Sequence, residues 1–284
     1  MWSLPFLLLS SEMTSMCEEC FPLKGKPSLA NAIRHHHLGC AKKLFDDGLM
    51  LDDEESLRAI GQEATAAFLN QVANAGCWIG AQFVYPANPA NEIVARVDLS
   101  NANKLELFEV LRSQMGLNLS GVGTHDGVAR TPISLATLRK DYNLVEAMLN
   151  EAQGINVDIQ GVAQQCLVKT CYPLFAAYEV DDMRMMRKLV KELNADVKGP
   201  AVSFILQMVI PRLGHIQQFH MLRLLKEEFG LDLSRYHLLP TTLPVQSRFC
   251  AHLFDDRRVH RRYVPLDIRT LGDLLIGLTD VVCP

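Results

Sequence analysis

The chain repeats one pattern of hydrophobic and polar positions. A shift of 41 residues places Pro132 on Pro173 and Ala136 on Ala177, and it superimposes the apolar positions of two successive helices. Matches at spacings of three to five residues preserve the buried faces of helices. The pattern therefore predicts an array of helix pairs.

A short turn sequence marks the end of each repeated unit. It reads GLNL, GINV, NADV and GLDL, and it begins at Gly116, Gly154, Asn194 and Gly230. Each copy follows an amphipathic helix, and Gly154 supplies the left-handed residue that ends the helix before it. The two signals agree on a period of about 36 to 41 residues.

The repeat pattern divides the chain into three parts. An early copy, PSLANAIRHHHLGCAKKLFDDG, begins the array near Lys26, and SLRAIGQEATAAFLNQVANAG is interpreted as a degenerate unit. The proline-containing stretch CWIGAQFVYPANPANEIV predicts an insertion at about residues 74–95 that emerges as a loop. We expect an N-terminal segment over residues 1–25, the array over residues 26–234, and a region over residues 235–284 that caps the array or binds a partner.

Two of the units resemble the ankyrin-repeat family, whose consensus has a Thr-Pro-Leu-His-x-Ala opening, a second helix rich in Val and Leu, and a Gly-Ala-Asp-Val-Asn turn. The best copies span Arg130–Asp158, with RTPISLA and GINVD, and Tyr172–Lys198, with YPLFAA and NADVK. Thr131 can cap the first helix. The period exceeds the ankyrin value of about 33 residues, so a helical array of the HEAT or armadillo type is the alternative.

The resemblance implies an all-α, ankyrin-like helical repeat solenoid with short β-turn fingers and a C-terminal helical cap. We expect at least five stacked helix pairs between Lys26 and Ser234. Ala32, Ala136 and Ala177 are expected to be buried where the helices approach closely.

The family's concave surface, carried over to the two best copies, implies a set of partner-binding residues. Gly123, Asp126 and Gly127 permit a tight turn that projects the first finger. Arg130 and Asp141 are expected to face the partner and to contribute little to the fold. The predicted binding set is Val128, Arg130, Lys140, Asp141, Lys169, Asp181 and Asp182.

Composition and charge argue against nucleic acid and membranes as partners, which leaves another protein as the expected partner. The net charge of −4 over 284 residues argues against a general nucleic-acid binder. The apolar run from Leu4 to Leu9 is too short to cross a bilayer and has no preceding cationic stretch, so neither a membrane partner nor a secretion signal is expected. Eight cysteines are too few for a disulfide scaffold and indicate reduced thiols. We expect a monomer in the cytoplasm, or in the host cytosol for a secreted effector.

Four side chains near the start of the array form a candidate zinc site. Cys17 and Cys20 make a Cys-x-x-Cys pair, and His36 and Cys40 lie one helical turn apart, so the four donors suit a tetrahedral ion. The repeat pattern instead aligns Cys40 with apolar core positions of the later units. We therefore expect a core cysteine, no bound metal and no cofactor.

Familiar catalytic motifs are missing from the sequence. It contains no phosphate loop, nucleophile elbow, His-Glu-x-x-His or kinase motif. The leading hypothesis is a non-catalytic adaptor or pathogen effector that binds another protein. The alternative is an enzyme whose repeats recruit the substrate and whose reagents lie in the C-terminal region, at Cys250, His252, Asp255 and His260.

Overall fold

The computed structural model describes residues 17–21, 28–49, 51, 53–76, 79, 87–149, 168–209 and 216–233. Within these ranges the chain forms twelve α-helices and one antiparallel hairpin, with strands β1 (Gly123–His125) and β2 (Val128–Arg130). The helices are α1 (Leu29–Arg34), α2 (Leu38–Asp46), α3 (Glu54–Glu63), α4 (Ala66–Asn74), α5 (Pro89–Ala95), α6 (Asn101–Ser113), α7 (Pro132–Leu138), α8 (Tyr142–Leu149), α9 (Pro173–Glu179), α10 (Met183–Arg187), α11 (Pro200–Val209) and α12 (Ile216–Arg223). Two π-helical turns continue α10 and α12, and a 3₁₀ turn precedes α9; these are Lys188–Glu192, Leu224–Glu228 and Lys169–Cys171.

Consecutive helices form pairs, and the pairs stack in one row. The first helices contact one another in the order α1, α3, α5, α7, α9 and α11, and the second helices from α2 to α8 do the same. Ala32, Ala136 and Ala177 lie fully buried in this stack. The described residues contain six pairs, so the predicted all-α repeat array of at least five pairs is confirmed. The expected C-terminal cap falls within residues 235–284, outside the described residues.

Polar residues and prolines define where the helices begin. The side chains that accept a hydrogen bond from the first turn include those of Ser28, Asp53, Thr65, Asn88, Ser100, Thr131 and Asp182. Thr131 and Ser134 form a reciprocal capping box at the start of α7. Proline occupies the first turn of α5, α7 and α9, where its missing N–H would have no intrahelical partner.

Left-handed residues end the helices at repeated positions. Gly116, Asn194 and Gly230, which begin three of the turn sequences, have φ of 73°, 59° and 68°. Gly154, the residue predicted to be left-handed, lies outside the described residues. A second set separates the two helices of a pair, and its members are His36, Lys140 and Asp181, at 52°, 59° and 52°. Because His36, Lys140 and Asp181 occupy the same position in the repeat, they align the first, fourth and fifth pairs with one another residue by residue.

The prediction of a loop-forming insertion at residues 74–95 is wrong for the second half of that range. Residues Pro89–Ala95 form α5, the first helix of the third pair, which packs between α3 and α7. Asn88 caps this helix, and Pro89 fits its first turn without the loss of a hydrogen bond. The unit interpreted as degenerate is likewise a full pair, α3 and α4.

No described helix is long and apolar enough to cross a membrane.

The close approach of first helices at Ala136 yields a stability prediction. Ala136 is fully buried within α7, so Ala136→Leu should overpack the core and lower the free energy of unfolding by about 1–3 kcal/mol. Urea denaturation measures the change. Ala102→Leu, at an exposed position of α6, is the control and should shift stability by less than about 0.5 kcal/mol. Equal effects of the two variants would contradict close packing at Ala136.

Candidate functional site

The β-hairpin is the predicted finger. Gly123 pairs with Arg130 and His125 pairs with Val128, which leaves Asp126 and Gly127 as the two turn residues. Their φ angles of 51° and 74° are both positive, as a type I′ hairpin turn requires. The tight turn predicted from this part of the sequence is therefore confirmed.

Buried amides of the third pair hold the hairpin in place. The Asn88 side chain donates to the Gly121 carbonyl at 2.9 Å, and the Asn91 side chain donates to the Arg130 carbonyl at 3.0 Å. Gly123 lies so close to Asn88 that a β-carbon there would sit 2.6 Å from the Asn88 backbone nitrogen. The hairpin thus has a fixed orientation relative to the helices.

Arg130 anchors the finger to the fifth pair and does not face outward. Its guanidinium is buried and donates to the Glu179 carboxylate at 3.0 Å and to the Thr170 carbonyl at 3.5 Å. The expectation that this side chain contributes little to the fold is wrong. The ion-pair partner lies 49 residues further along the chain, so the sequence pattern around Arg130 does not reveal it.

Asp141 and Asp182 are also structural. Each carboxylate accepts a hydrogen bond from the first turn of the second helix in its pair, from Leu144 N at 3.1 Å and from Met185 N at 2.9 Å. Each also binds a side chain 40 residues earlier in the chain. Asn101 donates to Asp141 at 2.9 Å, and the Tyr142 hydroxyl donates to Asp182 at 2.7 Å. The expectation that Asp141 contributes little to the fold is therefore wrong, and Asp182, predicted to bind a partner, is buried.

The Tyr142 phenol is closely packed where it meets Asp182 of the next pair. Burial raises the pKa of Tyr142, and the hydrogen bond to the Asp182 carboxylate raises it further. The Arg184 guanidinium lies 4.9 Å from the centre of the Tyr142 ring. The phenol therefore stays neutral and keeps donating to Asp182 at physiological pH.

The remaining predicted binding residues divide into two rows. Val128 on the hairpin and Lys140 and Asp181 in the turns between paired helices are exposed. Lys169 is half-buried, with its ammonium 5.4 Å from the centre of the Phe175 ring. The seven residues of α7 separate the two rows, which at 1.5 Å per residue is about 10 Å.

Two exposed valines extend these rows and were missed by the sequence interpretation. Val97 is 86% exposed in the turn between α5 and α6, and Val168 is 45% exposed before the 3₁₀ turn. Hydrophobicity alone assigns a valine to the core, so no sequence signal marked these side chains as exposed. We define the finger edge as Asp126, Val128, Val168 and Lys169, and the turn row as Val97, Lys140 and Asp181.

Ion pairs connect elements of neighbouring pairs between these rows. They join Arg34 to Glu55 at 2.9 Å, Arg58 to Glu92 at 2.6 Å and Arg130 to Glu179 at 3.0 Å. The Arg58 guanidinium also donates to the Thr124 hydroxyl of β1 at 3.2 Å, which links α3 to the hairpin. Each of these three ion pairs thus joins two opposite charges within the protein.

Three cysteines and one histidine meet beside the first pair. Their ligand atoms all lie within 4.8 Å of one another. His37 Nδ1 is 3.0 Å from Cys17 Sγ and 3.5 Å from Cys20 Sγ, and Cys40 Sγ is 3.9 Å from Cys17 Sγ. The sequence interpretation named the three cysteines and the wrong histidine. His36 instead places Nε2 3.0 Å from the Glu63 carbonyl.

The reagents of the enzyme alternative fall outside the described residues, at Cys250, His252, Asp255 and His260. A groove of about 510 Å³ lies beside the last two pairs, and it is lined in part by Arg187, Arg223, Glu227 and Glu228. Arg187 pairs with Glu228 at 2.8 Å, and Arg223 pairs with Glu227 at 2.7 Å. Ion pairs within the protein therefore occupy the charged walls of this groove.

Comparison with solved structures finds a similar chain. The human ASB11 ankyrin repeat domain matches with a TM-score of 0.41 and 18% sequence identity, over 74% of this chain and 87% of that chain. No protein-family model and no curated protein matches this chain. The repeat architecture of this chain is established by its own stacked helix pairs and β-hairpin.

The buried position of Arg130 yields a second stability prediction. Arg130→Ala removes the partner of Glu179 and the donor to the Thr170 carbonyl, so it should lower the free energy of unfolding by about 1–3 kcal/mol. Chemical denaturation of the full chain measures this change. The matched control is Arg139→Ala, at an exposed arginine of the same unit, with an expected change below about 0.5 kcal/mol. Identical denaturation midpoints for the two variants would show that Arg130 has no structural role.

Proposed function

We propose that this chain is a non-catalytic scaffold, an adaptor or an effector, that binds another protein along its finger edge. One observation carries the proposal: the hairpin backbone is anchored by buried hydrogen bonds, while Val128 at its edge remains 37% exposed. A stacked repeat array presents such edges as an extended binding surface.

The two exposed valines of the finger edge lie on adjacent backbone segments. The Thr170 hydroxyl donates to the Ala129 carbonyl at 2.5 Å, which brings the segment containing Val168 against β2. Interfaces between proteins commonly have an apolar centre and a polar rim. Val128 and Val168 supply the centre, and Asp126 and Lys169 supply charges of both signs for the rim.

The fixed position of the finger favours binding. A segment that is already ordered loses little conformational entropy when a partner docks, so more of the contact energy contributes to affinity. The hydrogen bonds from Asn88, Asn91 and Thr170 supply that order. Flexible loops with the same side chains would bind more weakly.

The turn row belongs to the proposal as a second contact surface. Lys140 and Asp181 are exposed at the opposite end of the first helices, so a partner that covers the ion pairs would reach them. We place this activity in a monomer in the cytosol, which suits Cys17, Cys20 and Cys40, because these three side chains form no disulfide.

The test separates the finger edge from the rest of the surface. Partners captured by the full-length wild-type chain are identified and purified, and their affinities are then measured for the Val128→Asp, Val168→Asp double variant. Two carboxylates in the apolar centre should weaken binding at least tenfold, which corresponds to about 1.4 kcal/mol. The free energy of unfolding should change by less than about 1 kcal/mol because both valines are exposed.

Val97→Asp introduces one such substitution on the turn row, the second contact surface, and therefore compares the contributions of the two rows. We expect it to bind the partner with an affinity nearer to wild type than the double variant does. A folded double variant that binds as tightly as wild type, while Val97→Asp loses the partner, would move the binding site to the turn row and reject the finger edge.

A further inference from the structure

We propose that Cys17, Cys20, His37 and Cys40 bind one structural zinc ion, which fastens residues 17–21 to the first helix pair. This site is independent of the proposed function. Three thiolates and one imidazole are a ligand set used by closed, tetrahedral structural zinc sites.

The distances between the ligand atoms fit a single ion. Zinc bonds of about 2.3 Å to sulfur and 2.0–2.1 Å to nitrogen place tetrahedral ligands about 3.8 Å apart for two sulfurs and about 3.6 Å apart for sulfur and nitrogen. The observed separations are 3.9 Å between Cys40 and Cys17, and 3.5 Å and 3.0 Å from His37 to Cys20 and Cys17. Small side-chain rotations would bring all four atoms onto one tetrahedron.

His37 occupies a capping position of the repeat but does not cap its helix. It occupies the position of Asp141 and Asp182, whose carboxylates cap the second helices of their pairs. His37 is the N-cap residue of α2 and makes no side-chain capping bond. Its Nδ1 atom faces the sulfurs of Cys17 and Cys20 instead.

Cys40 combines a core position with a ligand position. It aligns with Leu144 and Met185, which are fully buried, and it is only 6% exposed itself. Its sulfur nevertheless lies 3.9 Å from that of Cys17. The expectation that the protein binds no metal rested on the core position alone, and the two roles are compatible.

The Cys-x-x-Cys segment has the form of a metal-binding turn. The Cys20 amide donates to the Cys17 sulfur at 3.3 Å, a contact that stabilises a thiolate. The segment also docks on α1, since the Asn31 side chain donates to the Glu19 carbonyl at 2.8 Å and the Ser28 amide donates to the Cys20 carbonyl at 2.9 Å. The Cys20 side chain is fully buried.

The location explains what a metal would contribute. The first pair has its neighbouring pair on one side, and the end of a repeat array needs cover from another element. Residues 17–21 form a short turn against this pair, with Cys20 in the core and Cys17 and Phe21 packed beside it. Zinc would bind the turn to α2 through His37 and Cys40 and thereby cap the array.

A disulfide is a weaker explanation for the same cluster. It would use two sulfurs and would give no role to the third thiol or to the imidazole. All three cysteines are free thiols, and the 3.9 Å between the Cys17 and Cys40 sulfurs is nearly twice a disulfide bond of about 2.05 Å. Four converging donors favour a metal.

The test compares neighbouring histidines in the full-length chain. Protein produced with zinc and dialysed against a weak chelator should contain about one zinc per chain by elemental analysis. His37→Asn should lose this metal, and asparagine at that position can still cap α2, so the helix keeps its start. His36→Asn is the matched control and should retain about one zinc per chain, because asparagine tolerates the left-handed backbone there.

Cobalt provides a second readout that does not depend on the folding of any variant. Cobalt(II) added to metal-free wild-type protein should give the intense visible absorption of a tetrahedral, thiolate-rich site, and one equivalent of zinc should abolish it. Wild-type protein that binds neither metal would overturn the proposal. Loss of zinc from His36→Asn to the same extent as from His37→Asn would also overturn it, as would a disulfide among these cysteines in freshly purified, metal-free protein.

Discussion

Each helix pair in this chain buries its apolar face against neighbouring pairs, and the rest of the structure depends on that stacking. The first helices approach closely because alanines such as Ala32, Ala136 and Ala177 lie between them. Polar contacts between neighbouring pairs recur at about the length of one repeat. Tyr142 donates a hydrogen bond to Asp182, 40 residues further along the chain, and Arg187 binds Glu228, 41 residues further along. Apolar packing therefore supplies the attraction between pairs, while these hydrogen bonds and ion pairs set the position of one pair relative to the next.

Stacking in a row creates both a binding surface and a weakness. The hairpin and the turns between paired helices project from the row, and their exposed side chains, such as Val128 and Lys140, are within reach of a partner. Among the described residues, the first and last pairs each contact a neighbouring pair on one side only. At the N-terminal end of the described row, the Cys17 to Phe21 turn lies against the first pair, and the proposed zinc ion would fasten it there.

Repetition explains which features the sequence predicts well. The alanines at close approaches recur with the repeat, and the Asp126–Gly127 turn follows from local backbone chemistry, and the structure confirms both. The α5 helix was mistaken for a loop because Pro89 reads as a helix breaker, although proline in the first turn costs no hydrogen bond.

Side-chain roles that depend on distant residues were harder to predict. Arg130 reads as an exposed charge until Glu179 is known to lie beside it. His36 and His37 differ by one position, yet the left-handed backbone at His36 directs its ring toward Glu63 and Phe68, while the His37 ring meets the cysteines. The spacing of cysteines and histidines in the sequence identifies candidate ligands, but it does not predict which of two adjacent histidines points toward the cysteines.

Amide hydrogen exchange along the full chain tests the central claim that each pair depends on its neighbours. Backbone protection should be highest in the central helices from α3 to α9, lower in the described pair nearest the C-terminus, α11 and α12, and graded between them. Addition of a strong chelator should reduce protection first in α1 and α2. A single protection level shared by all described helices, and unchanged or uniformly lowered by the chelator, would contradict the account and indicate one globally cooperative unit.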